Sequence, residues 1–208
     1  MNERKTGRHL FDSSTSVSDR KSPYMTYLFF ALVGSSILFL AMIFMFVIWL
    51  NQNELTLRFS LPKQFIVSTI LILVSSFTLT SVKKCFRDDD AKGLLLSLSS
   101  TLILGISFCV LQVLGWKSLY DHGFYIDGEV GISFLYIISG LHLAHILAGL
   151  LYLLYITFNA FDNWNDPIKA LVYFSNKYEE VKLEVFSTFW HFIDVLWVVL
   201  FFTFLFTF

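Results

Sequence analysis

Charge, cysteine and the common loop motifs are all scarce in this chain, and each scarcity removes a class of function. Charged residues make up 15% and the net charge is −1. No run of Lys and Arg interleaved with aromatics supplies the footprint of a nucleic-acid binder. There are two cysteines, Cys85 and Cys109. Helical rise would hold them roughly 25 Å apart, beyond the reach of a disulfide. Both are expected to be free thiols, too few and too distant for a cysteine metal site. A Gly-rich phosphate loop, Cys-x-x-Cys and Gly-x-Ser-x-Gly are all absent.

What fills the chain is apolar. Hydrophobic residues reach 56% and the mean hydropathy is +0.66, far from the balance of a soluble domain. Five stretches, near 24–50, 61–82, 93–114, 131–158 and 184–208, carry few or no charges over about 20 residues, enough to span a bilayer at 1.5 Å per residue. The fold class expected is an all-α integral membrane protein, a bundle of five transmembrane helices. Residues 1–22 read as a polar, flexible arm, and 23–208 as a single membrane domain. The apolar run beginning at Tyr24 is far longer than the roughly 7–15 residues of a secretory signal, so a cleaved leader is not expected. Ser22 with Pro23, and Ser60 with Pro62, read as caps and openings of the first two helices.

The few charges are unevenly placed. Lys and Arg number five in the arm (Arg4, Lys5, Arg8, Arg20, Lys21), four between the second and third spans (Lys83, Lys84, Arg87, Lys92) and three before the fifth (Lys169, Lys177, Lys182). The alternate side holds Arg58, Lys63 and Lys117, a division of 12 to 3. The positive-inside bias puts the N-terminus in the cytoplasm and Phe208 outside. The acidic run Asp88 to Asp90 reads as a solvated loop.

Against this apolar background two motifs stand out. Gly140-Leu-His142-Leu-Ala-His145 continues to Gly149 in the fourth span, and Trp190-His191-Phe-Ile-Asp194 continues to Trp197 in the fifth. An ionised Asp at the bilayer centre costs roughly 2.5–3.5 kcal/mol on insertion scales, so such groups face protein or enclosed water. Gly140, Ala144 and Ala148 form a small-residue face for close helix approach, beside a stripe of His142, His145, Gly149 and Tyr152. His191 and Asp194 are spaced to pair within one helix. His145 and Asp194 differ in depth by about 4.5 Å, within reach if the two helices are neighbours. The aromatic end of the last span (Phe201, Phe202, Phe204, Phe206, Phe208) reads as mostly lipid contact.

Three uses of the cluster stand open at this point. His142, His145, His191 and Asp194 could ligate a metal or haem in a stand-alone membrane protein. They could relay protons. They could fix helix packing or hold a lipid headgroup. A small transporter would need internal repeats and broken helices, and the sequence shows neither.

The two motifs together resemble subunit III of the haem–copper cytochrome c oxidases, in which a Gly-x-His-x-x-His helix is followed by a closing helix reading Trp-His-Phe-x-Asp-x-x-Trp. Phe134 to Gly140, Gln112 and Leu114-Gly115-Trp116 add to the resemblance, which covers roughly residues 93–208; the first two spans match by hydropathy. It implies the short, five-helix bacterial form in the cytoplasmic membrane, and a non-catalytic subunit of an oxidoreductase complex, with no haem, copper or other metal in this chain. Haem and copper are expected in partner subunits. Subunits I and II, and phospholipid in a helix cleft, are the partners implied, with a larger respiratory supercomplex a further one. His142, His145, Gly149, Trp190, His191, Asp194 and Trp197 are the motif positions, with a structural role or one that sets the lipid and proton environment. Association with a quinol oxidase or a nitric oxide reductase is the alternative inside the family. One departure bears on proton uptake: relatives often carry Ser-Glu in the first long span of the short form, where this chain has Ser35-Ser36 and no acid from Tyr24 to Leu50.

Overall fold

The computed structural model describes residues 23–53, 61–164 and 166–207. The expected flexible arm, the Ser22 and Ser60 caps, Arg58 and Phe208 lie outside these residues. Among the described residues six helices occur: α1 (Pro23–Asn53), α2 (Lys63–Arg87), α3 (Ala91–Asp121), α4 (Val130–Trp164), α5 (Pro167–Ser175) and α6 (Lys177–Thr207). Five of them, all but α5, are long and apolar enough to cross a membrane.

The helices outrun the apolar stretches. Their 25–35 residues correspond to roughly 37–52 Å, more than a hydrocarbon core of about 30 Å. The excess carries the polar ends: Lys83 to Arg87 stay helical in α2, and Lys177 to Glu184 open α6. The sequence reading does not anticipate α5. Its local cause is plain: Asp166 caps it by accepting from Ile168 N at 2.9 Å, and Pro167 opens it.

Turn chemistry sets the other connections. Asp89 joins α2 to α3 at φ 54°, a left-handed conformation that Asp tolerates better than most residues. Asp90 caps α3, accepting from Gly93 N at 3.0 Å. The acidic run is therefore exposed, as expected, but two of its members also build the turn. At the far end of α3, Gly123 takes φ 85°. There Phe124 N donates to Leu119 O and Gly123 N to Tyr120 O, both at 3.0 Å, the bonding of a Schellman stop.

Helices α2, α3, α4 and α6 close a ring in which each touches the next, and α1 lies outside against α4 and α6. Only Phe39 and Phe46 of α1, seven residues apart, are buried. Lipid tails give helices no hydrophobic reason to associate, so packing and interhelical hydrogen bonds must hold the ring. Its centre accordingly holds Trp190 and Trp197, both fully buried, with Ser68, Thr69, Ser75, Thr101 and Gln112. The aromatic end of α6 divides: Phe202 and Phe206 are exposed, whereas Phe201 and Phe204 belong to the core, against the expectation of lipid contact for the group.

The basic segments meet at one end. Lys83 pairs with Glu184 and Arg87 with Glu180, each at 3.2 Å. Lys92 lies over the Trp164 ring, and Tyr24 at the start of α1 packs on Tyr178 of α6.

Candidate functional site

The seven motif residues lie on α4 and α6, helices that are neighbours, but they do not converge on one point. His142 is buried, with its imidazole stacked on the Trp197 indole at 5.0 Å and 28°. Phe108 of α3 meets both rings edge-on, and Phe39 of α1 closes on His142 as well. Neither ring nitrogen of His142 has a hydrogen-bond partner among the described residues.

His145 turns toward α1. Its Nδ1 lies 2.8 Å from Leu141 O; a carbonyl only accepts, so Nδ1 carries the proton. In the neutral imidazole Nε2 is then an acceptor, and the Ser35 hydroxyl, 3.3 Å away, donates to it. Ser35 belongs to the Ser35-Ser36 pair, and its neighbour Ser36 bonds back to Leu32 O.

His191 turns toward α2, where its Nδ1 lies 2.7 Å from Ser76 Oγ. The expected pairing of His191 with Asp194 is not formed, nor is that of His145 with Asp194. Both carboxylate oxygens of Asp194 are buried without a hydrogen-bond partner among the described residues; Ser76 lies alongside. The reason is rotational. His191 is turned to α2, where Ser76 holds its Nδ1, and His145 to α1, where Ser35 holds its Nε2.

The tryptophans and Gly149 make the closest contacts. Trp190 Nε1 donates to Ser75 Oγ at 3.2 Å, and Trp197 Nε1 donates to Thr69 Oγ1 at 3.0 Å. The Trp190 ring lies between two glycines. A Cβ on Gly105 of α3 would come within 3.0 Å of it, and a Cβ on Gly149 of α4 within 3.3 Å, with Phe189 at 3.0 Å. Gly149 is thus the close-approach residue of α4. The expected face of Gly140, Ala144 and Ala148 is not: Gly140 borders Trp116, but Ala144 and Ala148 are exposed. Tyr152, at the foot of the stripe, is exposed too.

The sequence reading misses the other half of this site, a ladder of hydroxyls on α2. Ser68, Thr69, Ser75 and Ser76 receive Gln112 of α3 and Trp197, Trp190 and His191 of α6 in turn. Thr78 adds a bond to Thr101 of α3 at 2.9 Å. The signal was available as Ser/Thr pairs seven residues apart, 68 with 75 and 69 with 76, which fall on one helix face.

Chemically, this arrangement ties helices together. No group of three or more His, Cys, Asp or Glu is placed to hold a metal ion among the described residues. His142, His145, His191 and Asp194 point to an aromatic stack, to α1 and to α2, and so do not make the ligand set that a stand-alone haem or metal protein would use. Cys85 and Cys109 are free.

Residues 37–207 match the family of cytochrome c oxidase subunit III. The chain belongs to that family. It is 31% identical to cytochrome c oxidase subunit 3 of Corynebacterium diphtheriae over 66% of this chain and 62% of that protein. It is 29% identical to the Bacillus subtilis protein of the same name over 81% of this chain and 78% of that one. Against a probable subunit 3 of Rickettsia prowazekii it is 27% identical over 65% of this chain, but this is only 45% of the Rickettsia protein. The matched stretch is thus under two-thirds of the first and under half of the last. Five apolar helices of spanning length and these bacterial relatives make the chain a multi-pass protein of the bacterial cytoplasmic membrane.

Proposed function

We propose that the chain is the non-catalytic subunit III of a respiratory haem–copper cytochrome c oxidase, packed beside subunit I in a complex with subunit II. The observation that supports this most is the fate of its polar side chains. Trp190, Trp197, His145, His191 and Gln112 are each spent on a hydroxyl or carbonyl of a neighbouring helix. A chain whose intramembrane polar groups fix helices, with no ligand set among the described residues, is suited to scaffold redox centres held elsewhere. Haem and copper then reside in the partner subunits, and electrons pass from cytochrome c to oxygen there.

Membrane orientation follows from the basic end. The Lys/Arg-rich segments that meet there put it in the cytoplasm under the positive-inside rule, with the N-terminus inside and the C-terminus outside. The single membrane domain of 23–208 then presents α1, most of whose side chains face outward, to lipid or to subunit I. Phospholipid tails lie along the α1–α4 flank, where Ala144 and Ala148 leave a shallow exposed strip. Support of proton uptake falls to exposed carboxylates at the cytoplasmic end, Asp88 and Asp89, because α1 has no acid.

Purification in mild detergent tests the reading. Subunits I and II should accompany the chain, with copper in a partner and haem absent from the isolated chain. A copper-free complex oxidising quinol would move the chain to the quinol-oxidase branch. A stoichiometric Soret band from the isolated chain would overturn the proposal.

A further inference from the structure

The charges of the basic end lead into the membrane along the seam between α2 and α6. Arg87 pairs with Glu180 and Lys83 with Glu184, each at 3.2 Å. Two turns deeper on each helix, roughly 10 Å along the axis, Ser76 of α2 meets His191 of α6, Oγ to Nδ1 at 2.7 Å. His191 is half-buried. Its other ring nitrogen, Nε2, makes no hydrogen bond among the described residues and, unlike both nitrogens of His142, is not sealed inside the bundle.

Hydrocarbon offers that nitrogen nothing. Ionisable side chains at this depth face protein or enclosed water, and lipid headgroups belong at the level of the ion pairs, two turns away. The exposed threonines of the seam are satisfied by their own helices: Thr80 Oγ1 donates to Phe77 O at 2.7 Å, and Thr188 Oγ1 to Glu184 O at 2.9 Å. His191 Nε2 has no such relief.

The surface around it suits another helix. Phe77 of α2 and Val195 of α6, 76% and 63% exposed, supply apolar bulk. Ser76, Thr80 and Thr188 are small, which lets a neighbouring backbone approach. The charges of the seam are already paired with one another, so an ion brought by a partner would find no counter-charge. A hydroxyl or an amide is what remains. Either meets Nε2 whether the tautomer makes that nitrogen a donor or an acceptor.

We infer that the α2–α6 seam receives a transmembrane helix of a partner subunit, and that a hydroxyl- or amide-bearing side chain of that helix bonds His191 Nε2. The inference rests on the reading of the chain as one subunit of an assembly; it adds the face and the side chain that the assembly uses.

The test uses the full chain in the complex purified with mild detergent. A photoreactive residue in place of Val195 should cross-link to a membrane-spanning segment of a co-purifying polypeptide, identified by peptide mass spectrometry. His191→Phe keeps a planar ring and removes Nε2. Loss of that polypeptide on dilution should quicken about threefold to tenfold, the range that one interhelical hydrogen bond in a membrane covers. His191→Gln restores a donor and an acceptor and should recover most of the loss. Ser76→Ala removes only the bond inside the chain and should leave retention near that of the parent. Where His191→Phe fails to fold, the cross-link decides. A chain that purifies alone would overturn the subunit reading and this inference with it. With subunits present, the docking face alone is overturned if position 195 cross-links to lipid, to detergent or to a second copy of the chain. It is overturned equally if Ser76→Ala and His191→Phe weaken retention to the same extent, or if His191→Phe leaves it unchanged.

Discussion

His142 and Trp197 lie face to face, 5.0 Å apart, where four helices meet. His142 comes from α4 and Trp197 from α6. Phe108 of α3 abuts both rings, and the Trp197 Nε1 reaches Thr69 of α2. One pair of residues, taken from the two halves of the family motif, thus closes the ring. This explains in physical terms why a histidine at bilayer depth needs no ligand to justify it: its ring area is what the packing uses.

The Trp197–Thr69 bond should show up in a double-mutant cycle. Trp197→Phe keeps most of the ring stack and removes the donor; Thr69→Val removes the acceptor at similar volume. Interhelical hydrogen bonds in membranes average about 0.6 kcal/mol and reach about 1.7. A coupling energy in that range is expected from denaturation of the purified protein in detergent. Coupling indistinguishable from zero would mean that the bond contributes nothing.

Asp194 and His142 should behave differently from the tryptophans, because neither has a hydrogen bond to lose. Replacing a buried polar group that lacks a partner by an apolar one of similar shape is often neutral or stabilising. Asp194→Leu and His142→Phe should therefore leave thermal stability within about 1 kcal/mol of the parent, or raise it. A loss of more than about 3 kcal/mol in either would show that the group has a partner within the bundle.

The reach of the sequence is visible in these same residues. Span number and the separation of the two thiols follow from hydropathy and spacing, since a bilayer forces continuous helices; that α4 and α6 are neighbours does not, and the structure supplies it. The side-chain pairings did not follow. Spacing along one helix gives His191 and Asp194 a shared face, yet which neighbour they meet depends on how α6 is rotated against α2. That rotation is set by Trp190 and Trp197 reaching Ser75 and Thr69. Likewise Ala144 and Ala148 share spacing with Gly140, but only Gly149 meets the bulk of Trp190. The extra helix α5 was hidden because its Asp-Pro opening is short and its neighbours are polar.

The glycine cradle of Trp190 gives a steric test. Gly149→Leu would force several methylenes into a space where even a Cβ would stand 3.0 Å from Phe189 and 3.3 Å from Trp190. Overpacking of this kind costs about 1–3 kcal/mol. The α4–α6 contact should loosen, seen as a lower unfolding temperature and weaker retention of the chain with its co-purifying subunits. Leu at exposed Ala148, one position away, should leave the unfolding temperature alone; equal losses at both positions would refute the cradle.

Ser35 makes the one polar side-chain tie seen from α1 to α4 among the described residues, through His145. Otherwise α1 is held mainly by Phe39 and Phe46. Ser35→Ala deprives Nε2 of its donor, and the half-buried imidazole must then find lipid-side water or go without. The expected cost is about 0.6–1.7 kcal/mol, too little to unfold the bundle but concentrated on its least buried helix. Amide exchange should therefore quicken in α1 around residues 32–42 while α2 and α3 keep their protection. Uniform loss of protection across all five spans would mean instead that α1 is integral to the ring. Unchanged exchange would mean that Phe39 alone seats it.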